Sequence, residues 1–352
     1  MTSLTLSLLK TLGSPLLAEE FLQHLLSSRI IYKYTAKNKI GLLYLEDLKK
    51  RGMLGNFEDN YLKERRRHHE FLITITRAAR MLSSAGIRYA VFKSIFPYPA
   101  IPNDVDILVL GNKAEFRRAT KIFLGAGYQG LRSSPNQMSL HDRRNCVHAD
   151  LNKKDVYDVD LYQEVAASYL LYLDKARLFD HLTEKAILGE RVNTLTSEAE
   201  LLAIITHSVI PEQIYTLSTY FAVIYNLAKM DLRHIDKMMF MAKENNVTCP
   251  IRVHFSLTAA LHQAAFGIIP RNLTHILTEL GEEKKEVANL LKVDFKMPFR
   301  YSLRTIVRTL MEKSKDCRFR KSAARQVVAM LDPRLARWVA NNIAIRRKRE
   351  TY

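Results

Sequence analysis

Hydrophobic residues recur with a helical period up to Gly86, give way to short strand-like runs around one helix from there to about residue 190, and return to the helical period after Leu195. No other feature of the chain limits its fold as strongly. A period of about 3.6 buries one stripe of a helix, and a period of 2 buries one face of a strand. The expected architecture is therefore α+β and mostly helical. A small mixed sheet occupies residues 86–190, between an N-terminal helical region over 1–85 and a basic C-terminal helical region over 191–352. Glycine (12) and proline (10) are too scarce in 352 residues for a loop-rich all-β chain.

In the N-terminal region Leu16, Leu17, Phe21, Leu22, Leu25 and Leu26 make one helical stripe. Leu42, Leu43, Leu45 and Leu48 make a second, ending near Arg51-Gly52, and Phe71, Leu72, Ile75, Ala78, Ala79 and Leu82 a third within Glu58–Ser84. Met1–Leu17 carries Lys10 in mid-stretch and lacks a basic start and a small-residue cleavage site, so it reads as a helix rather than a signal peptide. Ile87–Phe92 has strand composition, and Pro97, Pro99 and Pro102 force a non-helical connection. Asp104–Leu110 alternates as a second strand and turns at Gly111-Asn112, after which Lys113–Leu124 is a helix closed by Gly125 and Gly127. Tyr128–Leu140 reads as strand and loop, with further strands over Cys146–Leu151 and Val156–Val165. Ser197 and Glu200 are spaced for a capping box. Helices are expected over about 211–230, 232–246, 250–267, 272–291, 301–313, 318–331 and 333–349.

Lys and Arg total 54 against 36 acidic residues, a net charge of +18, which points to polyanionic partners: RNA, DNA, nucleotides or an anionic membrane surface. Cys146, Cys249 and Cys317 lie far apart without a Cys-x-x-Cys pair, so neither a structural zinc nor a disulfide framework is expected, and a reducing, cytoplasmic setting follows. No apolar run reaches about 18 residues, so no spanning helix is expected.

The chemistry concentrates in Asn103-Asp104-Val105-Asp106-Ile107-Leu108-Val109. Side chains at i and i+2 of a strand share a face, so Asp104 and Asp106 point one way while Val105 and Ile107 pack the other. Two carboxylates held together repel unless a cation intervenes, and Mg²⁺ takes one or two carboxylates together with phosphate oxygens and water. Upstream, Lys93-Ser94 follows a strand and supplies a positive charge and a hydroxyl suited to a triphosphate. Downstream, Asp158, Asp160 and Tyr162 share one strand face. Asp160 is preferred as a third carboxylate, able to hold a metal and to orient or deprotonate an attacking hydroxyl, with Asp150 and Asp158 as rivals.

This order, a helix, Phe92-Lys93-Ser94, about ten residues, Asp104-Val105-Asp106, a helix and then Asp160 on a later strand, resembles the polymerase-β-like nucleotidyltransferase superfamily. Within it the chain is most similar to the uncharacterised nucleotidyltransferase family whose motif reads Lys-Gly, Asp-Ile-Asp-Leu-Leu-Val and Asp-Leu-His. The flanks Gly86–Phe92 and Leu188–His207 extend the likeness, which covers roughly residues 15–230. Two positions depart. Ser94 stands where glycine is usual, with no glycine between Lys93 and Asp104, and Tyr162 replaces the histidine after the third Asp. The resemblance implies transfer of a nucleoside monophosphate from an NTP such as ATP to a hydroxyl, with Mg²⁺ or Mn²⁺. It makes Asp104, Asp106 and Asp160 catalytic metal ligands, and Lys93 and Ser94 nucleotide-binding residues.

Other residues carry weaker signals. His148 and the His68-His69 pair read as structural or surface histidines, and His207 as a core histidine with a place near the nucleotide as the alternative. Tyr98 and Tyr162 suit packing better than base stacking. The charged run Lys63–Glu70 reads as a solvated face, with a polyanion contact as the alternative. Arg300, Arg304 and Arg308 fall at i, i+4 and i+8, joined by Arg318, Arg320, Lys321, Arg325, Arg334, Arg337 and the tail Arg346–Arg349, with Phe319 and Trp338 among them. That set is either a solvated face or a phosphate-tracking surface for RNA or another polyanion. A catalytically inactive polyanion-binding protein on the same scaffold is therefore the competing expectation.

Overall fold

Four helices precede the sheet: α1 (Leu4–Leu12), α2 (Arg29–Lys37), α3 (Gly41–Lys50) and α4 (Glu58–Ser84). The computed structural model describes residues 3–17, 28–142, 157–333 and 336–337. The stripe residues Phe21, Leu22, Leu25 and Leu26, the strand expected over Cys146–Leu151 with His148 and Asp150, and Arg334, Trp338 and the basic tail lie outside the described residues. The sequence pattern gives no sign of α2, because Ile30, Tyr32, Tyr34 and Thr35 suit a strand as well as a helix. What fixes it is a cap, the Ser28 hydroxyl accepting from the Ile31 N–H at 3.3 Å, and burial of Ile31 and Thr35 one turn apart. Along α4, Phe71, Ile75, Ala78, Ala79 and Leu82 make a continuous buried stripe. Its charged half stays at the surface, with Arg65 3.1 Å from Glu46 and Arg67 2.9 Å from Glu64. Such exposed pairs contribute roughly 0–1 kcal/mol each.

The sheet contains β1 (Tyr89–Val91), β2 (Asp104–Val109), β3 (Tyr128–Ser134), β4 (Gln137–Asp142) and β5 (Asp158–Tyr162), with α5 (Lys113–Gly125) between β2 and β3. Asn112 caps α5 in a full capping box with Glu115, which is why the helix starts where the sequence indicates. The short β6 (Ala166–Ala167), β7 (Leu170–Leu171) and α6 (Lys175–Leu178) follow, then a hairpin of β8 (Leu182–Ile187) and β9 (Glu190–Leu195). Strand order is β3-β4-β5-β2-β1-β9-β8, parallel at β5–β2 and β1–β9 and antiparallel elsewhere, so the sheet is mixed. Val105, Ile107, Val109, Val159 and Leu161 face α4 and α5, with Phe71, Ile75 and Phe123 in the same core. Ala90, Phe92, Leu108 and Tyr162 face the opposite way, into the core shared with the helical regions. Each fully buried side chain of this size is worth about 1.5–3 kcal/mol. The alternation thus commits one sheet face to each core.

The C-terminal region is α7 (Ser197–His207), β10 (Ile214–Tyr215), α8 (Leu217–Leu227), α9 (Leu232–Glu244), α10 (Thr248–Phe266), α11 (Arg271–Leu280), α12 (Lys284–Lys292), β11 (Phe299–Arg300), α13 (Leu303–Lys313) and α14 (Cys317–Ala329). The described residues are 60% helical, and the sheet sits between the two helical regions, an α+β fold as expected. Several details differ from the sequence pattern, among them the helix expected over about 211–230, whose first part includes the β10 strand and which is α-helical only over Leu217–Leu227. Thr196, not Ser197, is the cap residue of α7 and makes no side-chain bond, so Ser197 and Glu200 form no capping box and Glu200 turns inward. The helix expected over 272–291 is broken by Gly281, whose φ of 76° ends α11. Arg300 lies on β11, paired with β10, and Arg308 is tied to Glu283 at 2.6 Å, so Arg300, Arg304 and Arg308 do not form one helical stripe.

At the centre of α10, His254 is fully buried, with Nδ1 2.7 Å from the Tyr301 hydroxyl and its ring 4.6 Å from that of Tyr215. Burial lowers its pKa from 6.5 to about 3, so it is neutral in the folded chain. Between those values the unfolded chain binds the extra proton, and stability falls as pH drops through the window. In His254→Gln, the slope of unfolding free energy against pH is expected to be shallower by up to one proton, about 1.4 kcal/mol per pH unit. Urea melts between about pH 6 and pH 4 read this directly. An unchanged slope would mean that His254 is protonated in the fold.

Candidate metal and nucleotide site

The parallel β2–β5 ladder sets Asp104 opposite Asp158 and Asp106 opposite Asp160. Residues in register point to the same side, so these acids all face away from α4 and α5. Asp158 is engaged by His141, whose Nδ1 is 2.7 Å from its Oδ1. Asp160 accepts from Gln137 Nε2 at 2.6 Å, because antiparallel β4 places Ser139 opposite Asp160 and Gln137 one rung along, on the same face. Asp104, Asp106 and Asp160 are thereby brought together.

The preceding loop closes onto the same place. Phe92 N–H donates to Asp106 O at 3.1 Å. The buried Ser94 Oγ accepts from Asp106 N–H at 2.9 Å and donates to Phe92 O at 3.1 Å. Ser94 therefore fixes the backbone of the central acid. The residue in the left-handed region is Lys93, at φ 57°, a conformation that costs a non-glycine residue about 1–2 kcal/mol. This turn directs Lys93 Nζ to 3.4 Å from Asp106 Oδ2 and 4.8 Å from the Tyr162 ring centre, with the side chain only 5% exposed. Tyr162 packs edge-on against Phe92 at 5.3 Å, and Tyr98 anchors the proline-containing loop by donating to Ser218 O at 2.7 Å. Tyr98 has a packing role, whereas Tyr162 also hydrogen-bonds the Asp106 carboxylate and so belongs to the cluster.

Four further groups face this cluster: His207, for which a place near the nucleotide is the alternative reading of the sequence, and Tyr172, Glu212 and Lys39, which the sequence does not single out. His207, at the end of α7, has Nδ1 3.4 Å from Lys93 Nζ and 3.0 Å from the Tyr172 hydroxyl. Its Nε2 is 3.6 Å from Glu212 Oε1. Glu212 ends a π-helical turn, Ser208–Glu212, followed by Gln213 at φ 56°, and such turns recur at functional sites. Lys39, in the link between α2 and α3, interacts electrostatically with Asp104 and Glu212. Sequence offered a hint only for His207, a polar residue in an apolar helix. Lys39, Tyr172 and Glu212 reach the cluster through tertiary packing, which leaves no local pattern.

The electrostatics are those of crowded acids. Burial raises Asp106 to about 8, with Asp104 and Asp160 adding to the shift and Lys93 opposing it. Burial and Asp104 raise Asp160 to about 6, against Ser139, Lys93 and Gln137. Asp104 is raised by burial, opposed by Lys93 and Lys39. Lys93 is raised because Asp106, Tyr172 and Asp104 outweigh its burial, and Glu212 is lowered to about 2 because Lys39, His207 and Lys93 outweigh its burial. Carboxylates that resist ionisation side by side are a donor set that a hard divalent cation relieves. Among the described residues no three His, Cys, Asp or Glu side chains by themselves enclose a metal. The donor set therefore fits a Mg²⁺-type ion that takes one or two carboxylates and completes its shell with phosphate oxygens and water. A cavity of about 300 Å³ between α5 and the β3–β4 hairpin, lined in part by Arg117, Thr120, Lys121 and Met138, contains none of these carboxylates.

No protein-family model matches the chain, and neither a curated protein nor a solved structure matches it.

Proposed function

We propose that the chain is a Mg²⁺- or Mn²⁺-dependent nucleotidyltransferase, acting in the cytoplasm, that moves a nucleoside monophosphate from an NTP to a hydroxyl of a protein, an RNA or a small molecule. One observation carries this proposal: Asp106 stands opposite Asp160 across the β2–β5 ladder, with Asp104 on the same face and Lys93 beside them. Asp104 and Asp106 would hold the cation, whose contribution is to neutralise phosphate charge, with Asp160 across the ladder from Asp106. Lys93 offers a positive charge held by burial and by its turn, suited to a phosphate oxygen. Ser94 keeps Asp106 in place through its backbone. The acceptor oxygen attacks the α-phosphorus, the new P–O bond forms, and the bond to the bridging oxygen breaks with its electron pair leaving on pyrophosphate. The acceptor's proton passes to Asp160, whose raised pKa suits a base working near neutral pH.

Incubation with each α-labelled NTP and Mg²⁺ or Mn²⁺, over protein, RNA and small-molecule acceptors, is expected to give label transfer. In Asp104→Ala the transfer should fall about 10²–10³-fold. No transfer from any NTP to any acceptor would sink the assignment. A second function, polyanion binding on the same scaffold without turnover, is favoured by the net charge of +18. It predicts RNA binding that weakens steeply with salt and survives Asp104→Ala.

A further inference from the structure

Nearly half of the exposed large apolar side chains among the described residues fall between Leu291 and Leu331. On α13, Leu303, Val307 and Met311 are 66%, 45% and 66% exposed. Their i, i+4, i+8 spacing puts them on one stripe, away from the face that buries Thr305, Ile306, Thr309 and Lys313. On α14, Val327 and Val328 are exposed, as is Leu331 just beyond it. Exposed cations lie on the same helices: Arg304 on α13, and Lys321 and Arg325 on α14, while Arg318 is bound to Asp174 at 2.6 Å and Arg320 donates to the Ser314 and Lys315 carbonyls. Between Leu303 and Leu331 the acids are Glu312 and Asp316 alone. Both turn back onto the chain: Glu312 accepts from Cys249 N–H at 2.7 Å, and Asp316 accepts from Arg318 N–H at 2.8 Å and Lys313 Nζ at 2.9 Å. The outward surface is thus apolar and positive together.

We infer that the α13–α14 surface docks on an anionic lipid bilayer. A nucleic-acid backbone rewards the cations but leaves Leu303, Val307 and Met311 in water. The headgroup boundary of an anionic membrane takes both, aliphatic side chains below the phosphates and Lys and Arg among them. Among the described residues no helix is long and apolar enough to cross a membrane, so the contact lies on the surface. The inference rests on charge and apolar exposure and is independent of the proposed transfer reaction.

Flotation of the full chain with vesicles tests it, comparing neutral phosphatidylcholine with a mixture containing about one quarter phosphatidylglycerol. The protein is expected to float with the anionic vesicles and not with the neutral ones. The triple variant Leu303→Glu/Val307→Glu/Met311→Glu should lose about tenfold or more of the bound fraction with its unfolding midpoint unchanged. Should the triple variant not fold, Leu303→Glu and Met311→Glu singly carry the same comparison, each more than half exposed. Absence of flotation with anionic vesicles, glutamate variants that float like the wild type, or capture of an RNA oligonucleotide without vesicle binding would each overturn the inference.

Discussion

Asp106→Asn is expected to abolish nucleotidyl transfer, by on the order of 10³-fold or more, and at the same time to raise the unfolding midpoint of the metal-free protein. Asp106 is 8% exposed, shares a strand face with Asp104 and stands across the ladder from Asp160. Burial and those two neighbours push its carboxyl to about 8 despite Lys93. A carboxyl whose folded pKa exceeds its unfolded value binds protons more tightly in the fold. Its contribution is therefore present at low pH and lost as pH rises through about 8. Asparagine keeps the shape without the charge. The gain should be close to nothing below about pH 4 and grow to about 1–3 kcal/mol or more at pH 8, read as unfolding midpoints at about pH 3.5 and pH 8. A midpoint lowered at pH 8 would show that the charge of Asp106 stabilises the fold. Opposite signs for activity and stability are the mark of a residue kept for function.

Lys93→Met should act in the other direction, costing about 3–5 kcal/mol, because it strips the nearest cation from buried acids. Methionine keeps the stem and carries the same penalty at φ 57°, so the comparison isolates the charge. Lys93 pairs with Asp106 at 3.4 Å, and Asp104 also raises its pKa. Adding Asp106→Asn to Lys93→Met should therefore recover most of the loss. A double-mutant cycle from denaturant melts measures the coupling, and strictly additive effects would mean that the two side chains do not interact.

Where local signals agreed with tertiary packing, the sequence was legible. The periodic stripe of α4, the Gly111-Asn112 turn and closing glycines of α5 and the alternation of β2 each specify an element within a few residues. The β8–β9 hairpin was not visible. Its turn is Leu188-Gly189, with φ of 48° and 82°. Two-residue hairpins favour such a pair, but Asn or Asp normally fills the first position. β8 is mostly exposed and charged, and β9 joins the sheet by parallel pairing with the distant β1. The candidate site divides in the same way. Asp104, Asp106, Asp160, Lys93 and Ser94 lie in three short motifs, which is why the sequence could offer them as candidates. The left-handed conformation in this loop falls on Lys93, beside the Ser94 that stands where glycine is usual, and no spacing rule reveals it. His207 and Glu212, on α7 and the π-helical turn that continues it, arrive with Tyr172 and Lys39 from three separate segments, and only the packing of the helical regions against the sheet brings them in.

The proposal that these carboxylates form a nucleotidyl-transfer site is tested most directly by a crystal structure of the protein with Mg²⁺ and a non-hydrolysable NTP. The expected result is cation density against Asp104 and Asp106, with the α-phosphate between that density and Asp160 and a phosphate oxygen on Lys93. A triphosphate bound elsewhere, or cation density away from all three carboxylates, would contradict it.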